Sequence, residues 1–131
     1  SMKNYINNNN LKKIVKIINF TNNPFPLIKK SNLFVLTSTY EGLPNVLLET
    51  LVLKKFIISS KCQTGPSEIL LNGKGGLLFQ VKNYKELANK IIYYFHNKNK
   101  CKKLLQNSLR SIHRFDSKKN LKKYQDLFKK L

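Results

Sequence analysis

Two uninterrupted apolar runs, Leu33-Phe34-Val35-Leu36 and Phe56-Ile57-Ile58-Ser59-Ser60, constrain this chain more than any other feature. A strand with one face in water alternates apolar and polar residues, whereas a strand covered on both faces does not. The segment between the runs, Leu43 to Lys55, is too long and too Leu-rich for a strand and reads as a helix. Pro44 stands where a first helical residue belongs, its fixed φ and missing N–H costing nothing there. Strand, helix and strand in that order give a parallel βαβ unit. The expectation is an α/β open parallel sheet with helices on both faces.

Further elements fit this frame. Ile14, Val15, Ile17, Ile18 and Phe20 form a β-branched run that stops at Thr21-Asn22-Asn23-Pro24, so a strand is expected over residues 14–20. A brief helix is expected over 25–31, and another from Pro66 to about Leu71. Asn72-Gly73-Lys74-Gly75-Gly76 reads as a hairpin-like turn into a fourth strand, Leu77 to Val81. Apolar residues at helical spacing follow in three groups: Leu87 to Phe95, Leu104 to Ile112, and Leu121 to Leu131. No repeat or linker divides the chain, so residues 2–131 are read as one domain.

Lys+Arg number 25 against 6 for Asp+Glu, a formal net charge of +19. Such a balance suits a polyanion or an anionic membrane surface. The excess is almost all lysine, with Arg110 and Arg114 the sole arginines, and asparagine is also abundant. Base reading and bidentate phosphate grip favour arginine, so no specific nucleic-acid partner is expected, and the Lys and Asn excess reads first as a compositional habit. No apolar stretch reaches the ~18 residues that span a bilayer, and a cytoplasmic location is expected. Cys62 and Cys101 lack metal-ligand spacing and read as free thiols, while His96 and His113 lie in Lys-rich helical sequence as surface residues. Neither a metal nor a cofactor is expected.

Three of the six carboxylates, Glu41, Glu49 and Glu68, fall between residues 37 and 70. Open parallel sheets bind ligands at the carboxyl ends of their strands, and Glu41-Gly42 follows the strand at 33–37 just ahead of a helix start. The first N–H groups of that helix and its dipole suit a phosphate, with Gly42 allowing close approach. Glu49, in the helix's second turn, can accept hydrogen bonds from vicinal hydroxyls such as those of a ribose. The alternative makes Glu41 a capping or dipole-balancing group and Glu49 a solvent-facing residue. Spacing leaves both open.

The stretch Ser38-Thr39-Tyr40-Glu41-Gly42-Leu43-Pro44-Asn45-Val46-Leu47-Leu48-Glu49 resembles the signature of glycosyltransferase family 4, two glutamates eight apart with Gly and Pro between. The resemblance extends through Asn22-Asn23-Pro24-Phe25, Gly65-Pro66-Ser67-Glu68-Ile69-Leu70 and Gly73-Lys74-Gly75-Gly76-Leu77-Leu78, covering roughly residues 14–95. It implies a retaining glycosyltransferase of the GT-B fold, whose Rossmann-like C-terminal domain holds a nucleotide-sugar donor, here a UDP-sugar, in surface polysaccharide or glycolipid assembly. On that resemblance Glu41 is the catalytic-site carboxylate that contacts the donor sugar. Gly42, Leu43, Pro44 and Asn45 line the sugar and diphosphate, and Glu49 binds the ribose. Thr64-Gly65 departs from the paired glycines common in the family. The competing reading is a non-catalytic basic module on anionic membrane or nucleic-acid surfaces.

The family pattern also includes an N-terminal acceptor domain, and a β-α-β segment supplying an Arg and a Lys to the diphosphate, and nothing before Ile14 resembles either. The chain is therefore expected to be a partial C-terminal domain, inactive by itself and at most peripheral on the inner face of a membrane. In the sheet order 3-2-1-4-5-6, the strands at 14–20 and 33–37 would be strands 3 and 4, with the two between them missing. Either 14–20 moves over to pair with 33–37, or that edge stays open and invites self-association.

Overall fold

The computed structural model describes residues 1–118. Helix α1 spans Met2–Asn8 and α2 Phe25–Lys30; strand β1 (Leu33–Leu36), helix α3 (Asn45–Val52) and strand β2 (Phe56–Ser60) form the first crossover unit. Helix α4 (Pro66–Ile69), a 3-10 turn (Leu71–Gly73) and strand β3 (Leu77–Phe79) form the second. Helices α5 (Tyr84–His96) and α6 (Lys98–Ser111) follow, then a 3-10 turn at Ile112–Phe115. The helix expected over 121–131 lies outside the described residues.

The sheet is parallel, ordered β1-β2-β3, with Leu33 opposite Phe56 and Ile58 opposite Leu77. The central strand is buried along its whole length. Its pleat sends Ile57 into a core with Leu47, Leu51, Ile69 and Leu70, packed by Phe34, Leu36, Leu109 and Ile112. Phe56 and Ile58 point the other way, toward Phe79, Tyr94 and Cys101, with Leu33, Val35, Leu87 and Ile91 around them. The covered faces explain why the strands read as continuous apolar runs. Fully burying a side chain such as Leu47 or Leu51 stabilises the fold by about 1.5–3 kcal/mol.

Four expectations are corrected. No strand forms over residues 14–20; the run has the right composition but does not pair with the open edge of β1, and it lies open to solvent, Phe20 being 91% exposed. Three strands, not four, are therefore present among the described residues, and β1 ends the sheet with its outer edge unpaired. Pro44 is the N-cap of α3, with extended backbone at ψ 102°, rather than its first residue, and α3 ends at Val52. The Gly73-Lys74 turn joins a helix to a parallel strand, so no hairpin exists there; Gly73, at φ 93°, reverses the chain after Leu71 and Asn72, themselves left-handed.

Candidate functional site

The loops that leave the carboxyl ends of β1 and β2 meet and fasten to each other. Ser60, the last residue of β2, donates its hydroxyl to the Ser38 carbonyl at 2.6 Å, and the Cys62 thiol donates to the same oxygen at 3.3 Å. One level outward, the Thr64 hydroxyl donates to the Glu41 carbonyl at 2.7 Å. Gly65, at φ 71° and ψ −81°, is packed so tightly that a Cβ there would collide with the Gly42 carbonyl oxygen and approach Pro44 Cδ at 2.7 Å. Thr64 and Gly65 thus hold residues 41–44 in place, which gives the departure from paired glycines a structural role.

Glu41 is half-buried, and its carboxylate accepts a hydrogen bond from the Ser38 hydroxyl at 2.5 Å. It does not cap α3. The N-cap is Pro44, which has no side-chain donor or acceptor, and no side-chain hydrogen bond closes the helix start. The geometry removes capping, though not dipole balancing, from the readings of Glu41 left open above. The Asn45 and Val46 N–H groups consequently lack an internal partner, Leu47 N–H donating to the Pro44 carbonyl at 3.0 Å, and no acidic residue stands in the first turn against the positive end of the helix dipole. Such an end is suited to an anion.

Glu49 lies on the same helix. It is half-buried, and its carboxylate makes no hydrogen bond or ion pair among the described residues. Gly42 and Asn45 are exposed, Leu43 is 48% exposed, and Pro44 is buried against Gly65. Glu68 stands apart: it is exposed on α4, where its carbonyl accepts from Arg114. The structure therefore brings Glu41, Gly42, Leu43, Pro44, Asn45 and Glu49 to one edge and leaves Glu68 outside. Sequence reasoning missed Ser38, Ser60, Cys62 and Thr64; the polar ending of β2, Ser59-Ser60, was the available signal, since buried hydroxyls at a strand end need partners.

His96 and His113 are exposed, and Cys62 and Cys101 are buried free thiols. Among the described residues no three His, Cys, Asp or Glu side chains come together as a metal site. No helix among them is long and apolar enough to cross a membrane.

Comparison with known proteins shows the family and the fold. The sequence model of the family described as "Glycosyl transferases group 1" matches residues 1–111. An uncharacterized glycosyltransferase of Methanocaldococcus jannaschii is 48% identical over 65 residues, covering 50% of this chain and 16% of that protein. The poly(ribitol-phosphate) alpha-N-acetylglucosaminyltransferase of Staphylococcus aureus is 28% identical over 92 residues, 70% of this chain and 19% of that protein. The chain thus spans less than a fifth of the length of these two relatives. The crystal structure of Anabaena HepE in complex with UDP superposes with a TM-score of 0.87 at 23% identity, over 99% of this chain and 36% of that one. At that identity the likeness establishes the fold, the Rossmann-like half of a GT-B glycosyltransferase.

Proposed function

The chain belongs to the group 1 glycosyl transferases, and from that premise we propose that it is the donor-binding part of a retaining glycosyltransferase of the family 4 kind, one that uses a UDP-sugar. The observation that carries this reading is the uncapped start of α3 set beside Glu41, with the unpartnered, half-buried Glu49 on the same helix. In this arrangement the diphosphate lies against the first N–H groups of α3. Gly42 leaves the backbone open to close approach, nothing standing within 4 Å of where its Cβ would be. As the glycosidic bond to the diphosphate breaks, negative charge builds on the leaving oxygen, and donors already fixed in place stabilise it without reorganising. Glu41, oriented by Ser38, faces the donor sugar's hydroxyls, and Glu49 accepts from the ribose hydroxyls.

The acceptor, and the Arg and Lys that serve the diphosphate in the family pattern, fall outside the residues of this chain. Assembly of a surface polysaccharide or glycolipid at the cytoplasmic face of a membrane is the role that fits the resemblance. Titration calorimetry with UDP tests the donor site. The chain by itself should bind UDP weakly and transfer no sugar, and Glu49→Ala should weaken UDP binding further. Unchanged UDP affinity in Glu49→Ala refutes the ribose role, and sugar transfer by this chain alone refutes the reading that it is incomplete. In a full-length transferase containing this chain, Glu41→Ala should lower turnover more than nucleotide affinity.

A further inference from the structure

At the opposite end of the sheet, below the amino ends of β1 and β2, lies a second concave site. It is a cavity of about 310 Å3 whose lining includes Asn32, Lys54, Lys55, Lys98, Asn99 and Lys102. Four lysines border one cavity, no carboxylate lines it, and none of the four makes an ion pair among the described residues. Lys98 instead holds its ammonium 4.5 Å from the centre of the Tyr94 ring and 4.7 Å from that of Phe95. Like charges gathered in a concavity repel one another, and a bound anion is what relieves them.

The start of α6 at this cavity breaks the usual rules for a helix N-terminus in the same direction. The N-cap Asn97 makes no cap bond; its side-chain amide donates to the Tyr93 carbonyl at 3.0 Å, back toward α5. The first turn carries no acid, and Lys98 and Lys100 place positive charge on the positive end of the dipole. Asn97 is also the C-cap of α5, so its amide serves the end of that helix and leaves the start of α6 without a side-chain cap.

We propose that this cavity binds a phosphate-bearing anion, at a site separate from the donor loops. Lysine ammoniums are point charges with three donors each and no acceptor, and four of them bordering one cavity suit a tetrahedral, many-oxygen anion better than a planar carboxylate. The Asn32 and Asn99 amides add neutral donors, while the Tyr94 hydroxyl is already committed to the Asn32 carbonyl at 2.7 Å. The ligand is a diphosphate or polyphosphate compound, or the phosphate headgroup of an anionic lipid.

Calorimetric titration with pyrophosphate, at fixed salt, tests the site with two variants of equal charge. Lys55→Ala/Lys102→Ala removes two cavity lysines; Lys12→Ala/Lys85→Ala removes two that do not line it. The first pair should weaken pyrophosphate binding about tenfold and the second by less than about twofold. Lys98→Gln, which removes the charge and keeps a polar side chain, should follow the first pair. Equal losses in both pairs, or no loss in the first, overturn the proposal, because bulk charge then accounts for any binding. Sedimentation with phosphatidylglycerol vesicles separates the sources. Retention on vesicles that the cavity pair abolishes assigns a lipid headgroup, and pyrophosphate binding without vesicle retention assigns a soluble phosphate compound.

Discussion

Replacing Gly65 by alanine should unfold the edge that carries the proposed donor site, whereas the same change at Gly42 should not. Gly65 sits at φ 71° and ψ −81°, a strained combination for an L residue, costing about 1–2 kcal/mol. The added methyl would also meet the Gly42 carbonyl oxygen and the Pro44 ring, neither of which can swing away, because Thr64 ties the Glu41 carbonyl and Pro44 is buried. Overpacking of this kind costs about 1–3 kcal/mol. Together the two give roughly 2–5 kcal/mol, a large part of the 5–15 kcal/mol that typically holds a domain together. At Gly42, where nothing stands within 4 Å and φ is not left-handed, the change should stay within about 0.5 kcal/mol. Urea denaturation followed by circular dichroism reads both, and matching midpoints for Gly65→Ala and Gly42→Ala would refute the argument. The Gly42 variant then reports on function alone: a folded Gly42→Ala chain that binds UDP more weakly locates the ligand at that stretch of backbone.

Burial pushes the Cys101 thiol up from its ordinary value of 9.0, with Lys98 offsetting part of the rise. The unfolded thiol therefore ionises first, and stability should fall as pH climbs through about 9 toward the folded value, with no contribution below that window. Cys101→Ala should lessen the fall in urea midpoint between about pH 8 and pH 10; an identical fall in both proteins counts against the thiol as its source. The unpaired outer edge of β1 should let chains associate, and because like charges are screened within ~10 Å at ~0.1 M salt, association should grow as salt rises. A strict monomer at high salt and high concentration in sedimentation velocity excludes it. Ser38→Ala should leave the fold intact but free the Glu41 carboxylate, lowering turnover of a full-length transferase several-fold; unchanged turnover would show that Ser38 does not position it.

The sequence by itself determined the layer plan and the helix that carries the site. Strands β1 and β2 were legible because residues covered on both faces leave no alternation to misread, and α3 because Pro44 precedes a Leu-rich stretch too long for a strand. Glu41 and Glu49 were legible as a pair because a strand end followed by a helix start is where such sheets bind ligands. Tertiary structure decided what depended on a distant partner. The run over 14–20 has strand composition, yet a strand exists only where its backbone pairs with another, and this run leaves the edge of β1 unpaired. The loop that carries Glu41 is tied by Thr64, which is 23 residues away and reaches the Glu41 carbonyl only because β1 and β2 are parallel neighbours. The four lysines of the far cavity come from the segment after α3 and from the start of α6, scattered positions in a Lys-rich chain that only the packing of α6 beneath β2 brings together.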